Sequence, residues 1–163
     1  MIVESVIYSF PYLALILIFL ILMIFENNLS LHNSLRGFNL QIVRWFSMGL
    51  ILVFFGFRGF VGWDWTSYYP AFMSLPKIGG ITLDSFTGER FDPGFIVLMS
   101  LIKTIWSNYH FFIFVTTLID IIILGAFLKR FSPSLALSGL VFIIMSGFYL
   151  ETDLLRNAKS IML

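Results

Sequence analysis

The stretch Ser5–Phe25, SVIYSFPYLALILIFLILMIF, decides the fold because it contains no charged side chain. At about 1.5 Å per residue, a helix of this length crosses the roughly 30 Å hydrocarbon core of a bilayer. No lysine or arginine precedes the stretch, and the sequence shows no small-residue cleavage site after it. A cleaved signal peptide has both features. The stretch therefore predicts a membrane-spanning helix that stays in the protein.

The composition of the whole chain agrees with a membrane protein. Of its 163 residues, 59% are hydrophobic and 12% are charged, whereas a soluble domain is about 45–50% apolar and about 25% charged. Further apolar runs at 42–57, 111–128 and 135–150 predict three more spanning helices. We therefore predict an all-α, polytopic membrane protein with a single membrane domain over residues 1–163. The last residues, KSIML, turn apolar again, which predicts that another helix follows and that this is the N-terminal part of a longer chain.

The net charge of +1 gives no argument for a nucleic-acid partner, and the absence of cysteine excludes disulfides and thiolate metal sites. The sequence contains no Gly-rich phosphate loop, zinc motif or nucleophile elbow. His32 and His110 lack ligand spacing and are interpreted as loop and interface residues. We therefore predict no cofactor and no metal ligands, and the need for a divalent metal during activity stays open.

The segment 91–110, FDPGFIVLMSLIKTIWSNYH, is ambiguous because it is long enough to span but has two unusual features. Asp92-Pro93-Gly94 breaks its beginning. Its later polar residues then recur at helical spacing, which is typical of a helix in the membrane interface or beside a wet cavity. These polar residues are Ser100, Lys103, Thr104, Ser107 and Asn108.

The distribution of basic residues favours an interfacial position for this segment. If it does not span, Arg36 and Arg44 lie on the same side of the membrane as Lys129 and Arg130, as the positive-inside rule requires. We therefore predict four spanning helices with the N-terminus outside. Residues 58–109 then form an outer segment with an interfacial helix.

The outer segment begins with FRGFVGWDWTSYYP, residues 57–70, which admits two interpretations. The first is a helix exit whose tryptophans and tyrosines rest at headgroup level. The second is a site, since ionisable groups near a membrane tend to be functional. Asp64 is placed to take a proton from a hydroxyl, Arg58 is suited to a phosphate, and aromatic rings suit the apolar faces of sugars.

Three motifs give the chain a resemblance to a known family. RGFVGWDWTSYY resembles a segment of the EpsG-type exopolysaccharide polymerases, which are Wzy-like, and FDPGF and LLRNAKS are similar to two later elements of that family. Asp92 stands near the position where members often carry a glutamate, with Glu89 as the other candidate. Arg156 corresponds to the arginine that opens the next helix. Trp63 departs from the pattern, because members commonly carry a small residue there.

The resemblance implies an enzyme that joins oligosaccharide repeat units carried on undecaprenyl diphosphate, for exopolysaccharide, capsule or O-antigen. The reaction would occur at the outer face of the bacterial inner membrane, with other polysaccharide assembly proteins as further partners. The predicted layout is also similar to that of type C glycosyltransferases.

The resemblance also implies roles for single residues. Asp64 would be the catalytic acceptor of the hydroxyl proton, and Arg58 would neutralise the leaving diphosphate. The remaining predicted substrate-binding residues are Trp65, Tyr68, Glu89, Asp92, Arg156 and Lys159. For Arg156 and Lys159, a role as snorkelling anchors stays an open alternative.

A transporter or flippase of lipid-linked oligosaccharide is the main alternative function. Such proteins distribute charges through the membrane interior, whereas here they concentrate at predicted helix ends and in the outer segment. Asp120 is the exception, with Thr116 and Thr117 one turn before it. We interpret Asp120 as a buried hydrogen-bonding group between helices rather than as a catalyst.

Overall fold

The computed structural model describes residues 2–31, 38–60, 65–86 and 91–147. All regular structure in this part of the chain is helical, which confirms the predicted all-α fold. The helices are α1 (Ile2–Leu31), α2 (Phe38–Gly56), α3 (Trp65–Ser74), α4 (Pro93–Ile105), α5 (Tyr109–Phe131) and α6 (Leu135–Phe142). Two short 3₁₀ turns, Ile78–Gly80 and Leu83–Phe86, lie between α3 and α4, and a π-helical turn, Ile143–Gly147, continues α6.

Within the described residues, three segments are long and apolar enough to cross a membrane: Phe10–Leu29, Asn39–Gly56 and Tyr109–Phe131. They correspond to three of the four predicted spans. The fourth prediction begins correctly at Leu135, where the structure has a shorter apolar helix, Leu135–Met145. Its predicted last residues lie outside the described part of the chain. The protein is thus an α-helical membrane protein.

Helix α4 lies within the segment 91–110, for which a helix was predicted. Pro93 occupies the first turn of α4, where its missing N–H costs no hydrogen bond, and Asp92 is the N-cap residue. At 13 residues, α4 is shorter than the about 20 residues that a span needs. Its position at the membrane interface stays a prediction.

The predicted end of the first helix was wrong. The uncharged stretch ends at Phe25, but α1 continues through Glu26 to Leu31. Neither glycine nor proline interrupts residues 26–31, and the charge of Glu26 is compensated by hydrogen bonds inside the protein. A carboxylate with such partners does not need to leave the helix for water.

The described residues divide into two compact units, one from 1–51 with 123–147 and one from 52–122. In the first unit, α1 packs against α6, with Phe19 fully buried beside Gly139. In the second unit, α3, α4 and the beginning of α5 share one hydrophobic core. Its fully buried members include Phe72, Ile96, Met99 and Phe112.

Candidate functional site

The turn that follows α2 carries the first predicted site residue. Arg58 lies just after the end of α2 and is half-buried, with its Nε and Nη1 atoms out of solvent. Gly59 comes next with φ of +69°, a left-handed conformation that costs an L-residue about 1–2 kcal/mol. The glycine therefore allows the chain to turn directly after the arginine.

The same turn places Phe60 at the centre of an aromatic cluster. Its ring lies 5.2 Å from Trp65 and 5.4 Å from Tyr69, measured between ring centroids. It stacks on Tyr109 at 5.6 Å with only 7° between the ring planes, and His110 meets it edge-on at 5.1 Å. Trp65 is the predicted site residue in this group, and Phe60, Tyr69 and His110 were missed.

Helix α3 carries Tyr68, the second predicted aromatic contact. Tyr68 is 5% exposed, and its ring packs against Phe91 at 5.1 Å and Phe95 at 5.6 Å. Phe91 directly precedes Asp92, so this packing joins α3 to the beginning of α4. The exposed Asp92 accepts backbone hydrogen bonds from Phe95 and Ile96 through its carbonyl oxygen. In this arrangement Tyr68 positions the segment that carries Asp92 and does not present an open ring face.

The remaining predicted site residues are not part of this geometry. Asp64, Glu89, Arg156 and Lys159 lie outside the described residues. The structure therefore brings Arg58 and Trp65 into the same turn-and-helix region and joins Tyr68 to the Asp92 segment.

Two residues of the polar stripe of α4 make hydrogen bonds to the end of α3 and the turn that follows it. Lys103 Nζ donates to the backbone carbonyls of Phe72, Met73 and Leu75 at 2.8, 2.8 and 2.6 Å. Thr104 Oγ1 accepts from the backbone N–H of Ile78 at 2.9 Å. These carbonyls end α3, where a helix lacks internal partners and carries partial negative charge. Lys103 and Thr104 thus contact protein at this end of α4, and the position of the stripe at an interface or beside a wet cavity stays a prediction.

The ammonium group of Lys103 is partly desolvated by this contact. Burial lowers the pKa of Lys103 from 10.5, and repulsion from Lys77 lowers it further. The three carbonyl oxygens supply one acceptor for each ammonium hydrogen. Lys103 therefore fastens the end of α3 to α4 and helps to hold the aromatic cluster in place.

A second polar centre lies in the first unit, and the sequence analysis missed it. Glu26 is only 2% exposed, and its Oε1 atom accepts from Arg44 Nε at 2.9 Å and from the backbone N–H of Leu135 at 3.2 Å. Its Oε2 atom accepts from Ser134 Oγ at 2.7 Å and from the backbone N–H of Ala136 at 2.9 Å. The carboxylate thus caps the N-terminus of α6, where negative charge is favoured.

Arg44 completes this centre. Its Nη2 atom donates to the carbonyl oxygen of Pro133 at 2.7 Å. The contact places Arg44 beside the turn that follows Lys129 and Arg130, on one side of the described unit. That these basic residues face the same side of the membrane stays a prediction.

A model of the EpsG family matches residues 41–163. The chain belongs to the EpsG family. The match begins within α2 and covers the Arg58 turn, the aromatic cluster and α4, as well as all the predicted site residues that the structure does not describe. Comparisons with curated proteins and with solved structures give no match.

Membership confirms the resemblance found in the motifs. An EpsG-family chain with these spanning helices is a membrane protein of polysaccharide biosynthesis. Glu26 lies before the matched region and Arg44 lies inside it, so the family match alone does not point to their ion pair.

Asp120 of this EpsG-family protein is fully buried within α5, as predicted. Thr116 and Thr117 are fully buried as well, and Thr116 Oγ1 donates to the carbonyl oxygen of Ile113 at 2.8 Å. Among the described residues, no three His, Cys, Asp or Glu side chains are grouped closely enough to hold a metal ion.

Proposed function

We propose that the protein is a polymerase that joins lipid-linked oligosaccharide repeat units into a surface polysaccharide. The observation that carries the proposal is the family match over 41–163, because it contains the Arg58–Asp64 segment and the LLRNAKS motif together. The lipid carrier is undecaprenyl diphosphate, and the reaction takes place at the outer face of the bacterial inner membrane.

The reaction is a glycosyl transfer. An acceptor hydroxyl oxygen attacks the anomeric carbon of the donor and forms the new glycosidic bond, while the bond from that carbon to the diphosphate oxygen breaks. Asp64 receives the hydroxyl proton, and undecaprenyl diphosphate leaves. A carboxylate within hydrogen-bond reach of the attacking hydroxyl contributes typically about 10²–10⁴-fold to such a step.

Cationic side chains stabilise the charge that develops on the leaving diphosphate. Arg58 is suited to this role because its guanidinium offers several donors in a planar fork and stays charged at any physiological pH. Its half-buried position strengthens such an interaction relative to water. Arg156 and Lys159 supply further positive charge in the proposal.

Sugar recognition follows from the aromatic residues. Trp65 and its neighbour Phe60, which is 47% exposed, offer apolar ring surface beside the Arg58 turn. Asp92, exposed at the beginning of α4, and Glu89 provide hydrogen-bond acceptors for sugar hydroxyls. Tyr68 contributes by holding Phe91, and with it the Asp92 segment, against α3.

Replacing Asp64 in the chromosomal gene tests the proposal. In an Asp64→Asn strain we expect the long polysaccharide ladder on a gel to collapse to single repeat units at unchanged protein level. Asp84→Asn, which removes a carboxylate from the 3₁₀ turn Leu83–Phe86, is the matched control and should keep the ladder. A normal ladder in the Asp64→Asn strain would exclude Asp64 from the mechanism.

A transporter or flippase of the same lipid-linked oligosaccharide is the second candidate. It is favoured by the acidic side chains buried in candidate spans, Glu26 and Asp120, since intramembrane ionisable groups often mark transport pathways. The Asp64→Asn strain separates the two functions. Loss of even the single-repeat product at the cell surface would indicate export of the repeat unit rather than its polymerisation.

A further inference from the structure

The Glu26–Arg44 centre opens onto a cavity of about 440 Å³ in the first unit. We propose that this cavity holds the phosphate headgroup of an anionic phospholipid, whose acyl chains lie along α1 and α6. This site is independent of the proposed polymerase reaction. Its lining contains polar residues, called the polar wall below, and apolar residues, called the apolar wall, as a lipid headgroup with attached chains requires. The wall residues that carry the argument are Ile24, Asn27, Asn28, Arg44 and Leu137.

The polar wall offers donors that make no hydrogen bond to another side chain or carbonyl within the described residues. The side chain of Arg44 is 32% exposed, and its Nη1 atom makes no hydrogen bond to a described residue. Asn27 and Asn28 are exposed on α1 and add amide groups to the same wall. Guanidinium and amide N–H groups are good donors for phosphate oxygens.

The N-terminus of α6 is not the anion site. The carboxylate of Glu26 already occupies it, where it accepts from the backbone N–H groups of Leu135 and Ala136, and it neutralises the positive charge of Arg44. A phosphate in the cavity is therefore bound by the outward donors of Arg44 and by the asparagine amides, with Glu26 fixing the position of the guanidinium. Because this ion pair is neutral, preference for an anionic lipid needs additional positive charge.

That charge is supplied by the end of α5. Lys129 and Arg130 are exposed in its last turn, four and three residues before the cavity residue Pro133. Arg44 binds the Pro133 carbonyl directly, which ties this turn to the cavity wall. Basic side chains at a membrane boundary attract anionic headgroups by about 1 kcal/mol each, a preference of about tenfold or more for two.

The apolar wall continues into two rows of exposed residues. On α1, Ile24, Leu20 and Leu17 are exposed and lie on one helical face at spacings of four and three. On α6 and its π-helical continuation, Leu137, Val141 and Ile144 are exposed with the same spacing. These rows are where the two acyl chains would lie.

The two helices run antiparallel, so both rows lead away from the cavity in the same direction. Glu26, near the end of α1, contacts the first residues of α6, whereas Phe19, earlier in α1, meets Gly139 further along α6. Ile24 and Leu137 begin the rows inside the cavity. Since Phe10–Leu29 is a candidate span, the rows follow the direction of lipid tails.

Lipid counting on the purified full chain tests this site. The protein in detergent micelles is titrated with dioleoyl phosphatidylglycerol, dioleoyl phosphatidylcholine or inorganic phosphate, and bound molecules are counted by native mass spectrometry. We expect one tightly retained phosphatidylglycerol, bound about tenfold more tightly than phosphatidylcholine. Equal affinity for the two lipids, or equal binding of inorganic phosphate, would overturn the proposal.

Two variants locate the bound lipid. Asn28→Trp fills the cavity from an exposed position and should abolish retention, whereas Phe46→Trp, on an exposed face of α2 outside the cavity, should not. Retention in Asn28→Trp would place the lipid elsewhere and overturn the site. Lys129→Gln/Arg130→Gln, on exposed residues outside the cavity lining, should reduce the preference for phosphatidylglycerol to near onefold. Lys77→Gln/Arg90→Gln removes one lysine and one arginine charge from the other unit. It should leave the preference for phosphatidylglycerol unchanged. An equal preference for phosphatidylglycerol in both double variants would contradict the role of Lys129 and Arg130.

Discussion

Glu26 Oε1 and Arg44 Nε are 2.9 Å apart and link α1 to α2. The carboxylate is 2% exposed, and each of its oxygens accepts two hydrogen bonds. Through Ser134, Leu135 and Ala136 the same group holds the beginning of α6. One side chain therefore joins three helices of the first unit.

Removing either partner of this pair should destabilise the protein strongly. Glu26→Ala leaves the backbone N–H groups of Leu135 and Ala136 and the Nε of Arg44 without their acceptor, while Arg44 keeps Pro133. Breaking a buried pair typically costs about 3–5 kcal/mol, and we expect a loss near the lower end because Arg44 is 32% exposed. Unfolding by sodium dodecyl sulfate from mild detergent measures the loss. In a cycle with Arg44→Gln, the double variant should lose less than the sum of the single losses, by at least about 0.5 kcal/mol. Additive losses would show that the two groups do not interact.

Close packing between α1 and α6 should make Gly139 intolerant of a side chain. A Cβ atom there would lie 2.6 Å from Phe19 Cε1 and 3.4 Å from Ile51 Cδ1, and Phe19 is fully buried. We expect Gly139→Ala to lower the free energy of unfolding by about 1–3 kcal/mol, as overpacking usually does. Gly49→Ala, within α2, meets no atom within 4 Å and should be neutral or stabilising by up to about 1 kcal/mol. Equal effects of the two changes would argue against the close contact.

The helical fold could be predicted from sequence because it depends on local patterns. Long uncharged runs, Pro93 at the beginning of α4 and the lysine and arginine that end α5 each act within one helix. Even there the boundaries of α5 were underestimated. Asn108 accepts from the backbone N–H of His110 at 2.8 Å and so begins α5 earlier, at Tyr109, while Lys129 and Arg130 belong to its last turn.

The contacts of Glu26 could not be predicted from local sequence patterns. An acid that directly follows an apolar run has the same sequence signature at a solvated helix end as in a buried ion pair. Its partners are Arg44 and the Ser134–Ala136 turn, far away in the chain, so only the tertiary contacts distinguish the two cases. The polar face of α4 is similar: its periodicity was correctly recognised, but the surface that Lys103 contacts, the end of α3, is not encoded in that helix.

Lys103 should make stability depend on pH at the alkaline end. Because its pKa in the folded protein is lowered from 10.5, the unfolded chain binds the proton more tightly between these two values. The free energy of unfolding should therefore rise with pH across this window for this group. Comparing wild type with Lys103→Gln cancels the other titrations, and the wild type should show the steeper rise. Lys77→Gln, which removes the repulsion from Lys77, should raise the pKa of Lys103 in the folded protein and so narrow the window from its lower end. An identical pH profile for wild type and Lys103→Gln would refute the shift.

The Gly59 turn should matter for activity through the residues on either side of it. Its φ of +69° is open to glycine and tolerated by asparagine, whereas alanine there costs about 1–2 kcal/mol although no neighbouring atom would touch its Cβ. Relief of that strain would move Arg58 and lift Phe60 from Trp65 and Tyr109. We expect Gly59→Ala to shorten the polysaccharide ladder and Gly59→Asn to shorten it less, at equal protein level.

Gly79→Ala, in the 3₁₀ turn Ile78–Gly80, is the matched control. It also adds a Cβ in open space but without a positive φ, and it should leave the ladder unchanged. A full-length ladder in Gly59→Ala would mean that polymerisation does not depend on the geometry of this turn. That result would contradict the proposed role of Arg58.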